Sequence, residues 1–308
     1  MVHPARSILP KWYAEVKFLE SEAIGATSDT THSFIFGRMY KTPSNRTYRD
    51  GNHLRINFCH LEFPYDCSGS LSEPPDNIAA TVTTMYKKCP YQSQPFEDDG
   101  AKGSILARCV VDHTVQEDAA LVASIVDQFD GAGYKCERGL QCSVMRLVVA
   151  QKEEREPCSA ARPSAVIRRL VDCDALEQLV ACNAKSFGYD AAGDTEWLHA
   201  KLARQINQPN VFSVYVATER KNKVVAFAVI YKPTEKAPDL AFVQVVGTDP
   251  DHRRQGLASA VIRYALDQLP AGTRVYLEAL EEHAIELYHN IGFEKVGTVH
   301  STECMLFK

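Results

Sequence analysis

A mixed-sheet α/β fold is what three observations on this chain predict. Apolar runs of strand length, among them residues 212–218 and 224–231, recur between segments whose apolar residues return every three or four positions, so strands and helices alternate. The helix-like segments are one-sided: Leu257, Val261 and Ala265 with Ile262, Leu266 and Leu269 lie together, and Arg263, Asp267 and Gln268 lie opposite. With 45% apolar and 24% charged residues over 308 positions, the chain is globular and long enough for two cores.

Taken in order, residues 33–40 and 53–63 read as a strand pair, 77–88 as a helix, 104–111 as a strand and 116–129 as a helix, and a further strand ends at Met145-Arg146-Leu147. Residues 150–163, AQKEEREPCSAARP, are charged, proline-bearing and aperiodic, as an exposed linker is. Domains are therefore expected at 1–150 and 164–308, joined by a linker at 151–163. Past it come a strand at 165–170, a helix at 174–186 with Asp172 or Asp174 as its cap, and a helix at 195–208. Strands at 212–218 and 224–231 flank a Glu-Arg-Lys-Asn turn. A strand at 240–247, a helix opening on Arg253, a strand at 274–280, a helix at 284–290 and closing strands at 295–300 and 303–307 follow. The order of events at 104–147 echoes that at 274–307, which suggests a diverged copy of the second half in the first.

The formal net charge of −5 is spread over both halves, so nucleic acid is not an expected ligand. The opening residues MVHPARSILPKWYAEV lack the apolar run of a signal peptide, and the longest apolar run, 224–231, is too short for a membrane span. A soluble cytoplasmic protein without a membrane partner, monomeric or homodimeric, is expected. Its ten cysteines form no C-x-x-C pair and no zinc-like spacing with histidine, so reduced thiols and no metal are expected.

The most informative stretch is 243–269, VQVVGTDPDHRRQGLASAVIRYALDQL, an apolar strand, a polar turn and a helix opening on Arg253-Arg254-Gln255-Gly256-Leu257-Ala258. A helix start offers N–H groups without internal partners and the positive end of the macrodipole, and the small residues Gly256 and Ala258 let an anion approach the main chain. Neither G-x-x-x-x-G-K-[ST] nor G-x-G-x-x-G is present, which argues against a nucleotide hydrolase or a nicotinamide enzyme. The R-x-x-G-x-A segment after an apolar strand resembles the acyl-CoA loop of the GNAT superfamily of N-acyltransferases. The phrase A-I-x-L-Y-x-x-x-G-F at Ala284 to Phe293 is similar to the second half of that family's cofactor site.

The resemblance covers residues 164–308 and implies a GNAT fold with splayed central strands, after a first half that is GNAT-like but has no visible CoA loop. At residues 68–75, SGSLSEPP, acid and prolines stand where amides and a small residue are needed. A diverged first half joined to a GNAT second half also resembles the organisation of glycine N-acyltransferase-like proteins.

The resemblance implies an N-acyltransferase that uses acetyl-CoA or another acyl-CoA and passes the acyl group to a primary amine, on a small molecule or a peptide. Backbone groups of Val245, Val246, Gly247 and Thr248 are implied for the pantetheine arm and thioester carbonyl, with Val246 as oxyanion donor. The loop Arg253, Arg254, Gln255, Gly256, Leu257, Ala258 and Ser259 is implied for the pyrophosphate. Tyr288 stands at the family's general acid, and its phenol can protonate a leaving thiolate. Glu278, in Leu277-Glu278-Ala279, stands where several relatives carry a base, and by strand alternation it faces away from Leu277 and Ala279. The strand 240–247 holds no acid, so Gln244 could only orient a water, and His283 and His289 read as surface residues. The missing acid, with a shorter Leu277-to-Tyr288 connection than is common in the family, keeps a second reading open: a non-catalytic acyl-CoA sensor or scaffold.

Overall fold

The computed structural model describes residues 119–151, 165–189, 192–219, 223–235 and 237–307, the strands named below that precede residue 119, and the single positions 15 and 79. The helix expected at 77–88 (apart from position 79), the stretch 68–75 and almost all of the linker at 151–163 lie outside the described residues. The chain divides into two compact units, Met1–Cys142 with Gly297–Lys308, and Ser143–Val296.

In the first unit the strands are β1 (Thr27–Phe34), β2 (Gly37–Lys41), β3 (Cys59–Glu62), β4 (Phe96–Asp98), β5 (Ala101–Gly103) and β6 (Ile105–His113), followed by helix α1 (Ala119–Gly131). β1 and β2 pair antiparallel, with Phe34 opposite Gly37. The segment expected as one strand at 33–40 is therefore divided between two strands, β1 ending at Phe34 and β2 beginning at Gly37. β3 pairs antiparallel with β2 and parallel with β6, and the last strand of the chain pairs antiparallel with β6 through Cys109↔Cys304.

β7 (Lys135–Val148) crosses the boundary between the units, its residues 143–148 belonging to the second. The second unit continues with β8 (Val166–Leu170), α2 (Leu176–Phe187), α3 (Ala192–Ile206), β9 (Phe212–Thr218), β10 (Val224–Tyr231), β11 (Leu240–Thr248), α4 (Leu257–Asp267), β12 (Arg274–Ala279) and α5 (Glu282–Ile291). Its strands are ordered β8, β9, β10, β11, β12 and the second half of β7, all antiparallel neighbours except the parallel pair β11 and β12.

Every residue of β9 and β10 is buried, as expected of central strands with helices on both faces. Phe227 faces α2, whereas Tyr215 meets Tyr264 of α4 edge-on at 5.9 Å. Leu257, Val261, Ile262, Ala265 and Leu266 of α4 share one apolar core with Val243, Leu277, Ala279 and with Tyr288 and Ile291 of α5. α2 and α3 thus cover one face of the sheet and α4 and α5 the other. Among the described residues no helix is long and apolar enough to cross a membrane.

Three boundaries differ from the sequence reading. The closing strands expected at 295–300 and 303–307 are one strand, β13 (Glu294–Phe307), most of which lies in the first unit. The place beside β12 is taken instead by residues 143–148, whose Val144, Met145 and Leu147 are apolar and pair along Ala279↔Ser143 to Arg274↔Val148. The first unit is thus built from both ends of the chain, whereas the second is the continuous stretch Ser143–Val296. Helix α2 starts at Leu176 behind Ala175 without a side-chain cap, because the Asp172 carboxylate accepts the Asp174 N–H and turns the chain before the helix begins.

Candidate active site

The ladder between the parallel strands β11 and β12 runs from Leu240↔Arg274 to Val243↔Leu277 and stops, although β11 continues to Thr248 and β12 to Ala279. Beyond Val243, β11 keeps only β10 as a paired neighbour, as far as Thr248↔Ala226. Residues 244–248 therefore turn one backbone edge toward an opening between two diverging strands, and the amides on such an edge demand hydrogen-bond partners.

A bulge shapes that opening. Val229 pairs with Val245 but Ile230 with Val243, so Gln244 is the extra residue and β11 bends there. The side chains record the same step. Val243 and Val246 pack with the α4 core, a Cβ at Gly247 would point at Phe227 and Ser186, and Gln244 reaches Gln205 of α3. Gln244 and Val245 thus follow each other on the α2–α3 face. Gln205 is buried, donates through Nε2 to Gln244 Oε1, and has its own Oε1 buried without a hydrogen-bond partner.

Gly247 is fixed by packing. An added Cβ would lie 2.7 Å from Phe227 Cζ, closer than side-chain carbons approach, and 3.0 Å from Ser186 Oγ. Any other residue there would displace the buried Phe227 ring or the strand end.

After β11 the chain turns on Asp249, whose buried carboxylate accepts the Asp251 N–H at 3.1 Å and lies 3.6 Å from Lys185 Nζ and 3.7 Å from Lys223 Nζ. Burial pushes this carboxyl up, but the Asp251 N–H together with Lys185, Lys223 and His252 outweighs it and holds the group below the ordinary carboxylate range. One 3-10 turn, Pro250–His252, follows. Arg253 donates to Ser186 O at 3.0 Å and Thr248 O at 3.4 Å, so its guanidinium clamps the end of β11 to the end of α2.

The helix expected to open on Arg253 begins four residues later, at Leu257. Arg254, at φ 64, and Gly256, at φ 73, adopt left-handed backbone that an α-helix does not contain, so residues 253–256 form an exposed loop. Gly256 caps α4 without a side-chain hydrogen bond, and the first turn of α4 has no acid, whereas α2 and α5 carry Glu177 and Glu282 there. The positive end of α4 is thus left for an outside anion. Leu257, buried in the core, anchors this turn, and Ala258 and Ser259 are half-buried beside it.

Glu278 is the residue after the last ladder pair on β12, as Gln244 is on β11. It is half-buried and faces away from the core that takes Leu277 and Ala279. Tyr288 comes from the other side: it is buried in the α4–α5 core, edge-on to Phe293 at 5.9 Å, and burial pushes its phenol up to about 12. Glu278 and Tyr288 therefore approach the splayed strands from opposite faces of the sheet. His283 and His289 are exposed on α5. Sequence reasoning missed Asp249 with its lysines, and Gln205. An Asp-Pro step directly after a strand is a turn-capping signal that could have found the first.

Residues 176–293 match the family model of the acetyltransferase (GNAT) family. An uncharacterised protein of Mycobacterium leprae (strain TN) is 26% identical over 149 residues, 48% of this chain and 39% of that protein, so the chain spans about two fifths of the length of this curated relative. Among solved structures, a GCN5-related N-acetyltransferase from Kribbella flavida is 14% identical, with 94% of each chain covered and a TM-score of 0.55. A tandem GNAT protein from the clavulanic acid biosynthesis pathway is 11% identical, with 88% of this chain and 79% of that chain covered and a TM-score of 0.51. At these identities the likeness is one of fold.

Proposed function

We propose, from the premise that the C-terminal half of this chain carries a GNAT acetyltransferase domain, that the protein transfers an acyl group, acetyl in the simplest case, from acyl-CoA to a primary amine. The observation that carries this reading is the end of the β11–β12 ladder at Val243↔Leu277, directly ahead of a left-handed loop and an uncapped helix. A thioester arm needs backbone donors along its length and an anion site at its phosphate end. Residues 245–248 supply the first and the loop from Arg253 to Ser259 the second. Arg254, exposed and not clamped as Arg253 is, is the side chain placed to meet a phosphate.

In this reading the amine enters from the α2–α3 face and its lone pair attacks the thioester carbonyl. The Val246 N–H holds the oxygen that becomes negative. The C–S bond then breaks, the thiolate takes the Tyr288 proton, and Glu278 takes the proton the nitrogen gives up, directly or through a water. Burial pushes the Tyr288 phenol up to about 12 and so disfavours its phenolate. The leaving sulfur would sit in the same apolar surroundings, which raise the basicity of a thiolate as well.

The reading is tested by mixing the protein with acetyl-CoA and a panel of amines, amino acids and peptide N-termini and following free thiol. Thiol release that depends on the amine supports it; CoA binding without release for any acceptor contradicts it. The non-catalytic sensor gains no support from the site, which keeps a carboxylate at the splay and a protonated phenol behind it.

A further inference from the structure

Among the described residues, Gln205 and Gln244 form a contact at the splay that the scheme above leaves unused. Gln205 is 1% exposed, on the buried face of α3 with Leu198 and Leu202, and it spans from the helix to the bulge of β11. A core carboxamide is normally satisfied on both its oxygen and its nitrogen. Here the nitrogen is satisfied by Gln244 Oε1, while Gln205 Oε1 is buried with no partner. Leaving such an acceptor unmade costs more than a bond returns, so an arrangement of this kind is kept where something else fills it. The bulge has the matching effect: it turns Gln244 toward α3 at the point where the strands part.

Resting on the acyltransfer reading, we infer that the Gln205–Gln244 pair is the seat of the acceptor nitrogen and selects primary amines over secondary amines and alcohols. Gln205 Oε1 takes one N–H of the acceptor. Glu278, next after Leu277 on the neighbouring strand and on the same face, takes the other. With both hydrogens held on the α2–α3 side, the lone pair is left to point into the splay. A secondary amine has one N–H and satisfies one of the two acceptors; an alcohol does no better.

A weakly basic fluorinated amine, 2,2,2-trifluoroethylamine, is uncharged at mildly alkaline pH and can be followed by fluorine NMR. It is titrated into the CoA-saturated full chain beside its N-methyl analogue. The primary amine should bind at least about tenfold more tightly, the worth of one hydrogen bond in a buried site. Gln205→Met, which keeps the length and removes the acceptor, should abolish that preference, and Gln205→Glu, which restores an acceptor oxygen, should recover it. Equal binding of the two amines, or an unchanged preference in Gln205→Met, overturns the inference. So does a loss of CoA affinity and amine binding together in Gln205→Met, the mark of an amide pair that only ties α3 to the sheet. A CoA titration on the wild-type sample reports the acyltransfer reading separately: protein that binds no CoA sinks that reading and the acceptor role with it, whereas CoA binding without selection of the primary amine sinks this inference alone.

Discussion

Replacing Gly256 by alanine separates backbone strain from ligand exclusion. Gly256 sits at φ 73 and ψ 8, and a Cβ there meets no heavy atom within 4 Å. Left-handed backbone costs an L-residue about 1–2 kcal/mol. Alanine recovers about 0.4–1 kcal/mol by restricting the unfolded chain. A net destabilisation of about 1 kcal/mol should therefore appear, a fall in Tm of about 2–4 °C for a unit of this size. The open space around the Cβ is the space a pyrophosphate would occupy, so CoA affinity measured by calorimetry should fall by at least about tenfold, or about 1.4 kcal/mol. Gly272→Ala is the control: its φ is 81 and its Cβ is equally free of neighbours, but it lies in the turn before β12. The same loss of stability with unchanged CoA affinity is expected there. Wild-type CoA affinity in Gly256→Ala, or an equal loss in Gly272→Ala, would show that the space beside Gly256 does not hold the pyrophosphate.

Gly247→Ala should cost about 1–3 kcal/mol by overpacking against Phe227 and raise the KM for acetyl-CoA, read from thermal melts and initial rates. Tyr288→Phe keeps the ring against Phe293, so Tm and CoA affinity should hold while kcat falls by about 10²-fold or more. Because burial pushes the phenol up to about 12, kcat should not decline between about pH 8 and 10 through loss of its proton, as an ordinary tyrosine near 10 would begin to cause. Asp249 has the opposite sign: its folded pKa lies below its unfolded one, so its contribution is present above about pH 4 and is lost as pH falls through the lower folded value. Asp249→Asn should be less stable by about 1–2 kcal/mol at neutral pH, the lysine partners being half exposed and screened. Its melting curve should converge on that of the wild type in acid.

The α/β class and the strand-turn-helix at 243–269 were legible because they rest on local patterns, apolar periodicity and small residues at fixed spacing. The partition of the edge strands was not. Residues 144–149 and 304–307 are both mostly apolar, and nothing local says which strand each pairs with; that is decided by pairing over more than a hundred residues. The start of α4 was read four residues early, because Arg253, Arg254 and Gln255 are all good helix formers and only the left-handed turns at Arg254 and Gly256 hold them out of the helix. Glu278 and Tyr288 could be picked from the chain, but their approach from opposite faces required the register of β12 and the packing of α5. Gln205 carried no signal, since a glutamine on a helix is ordinary until a bulge brings a partner to it. Asp249 is legible only as a turn former, and its burial between two lysines belongs to the fold.

The most direct test of an acyl-CoA site at the splay is amide hydrogen exchange of the full chain with and without CoA. The account expects slowed exchange in residues 245–248 and in the loop from Arg253 to Ser259, with β9 and β10 protected alike in both states. No change in those two segments at saturating CoA, or protection confined to another part of the chain, would contradict it.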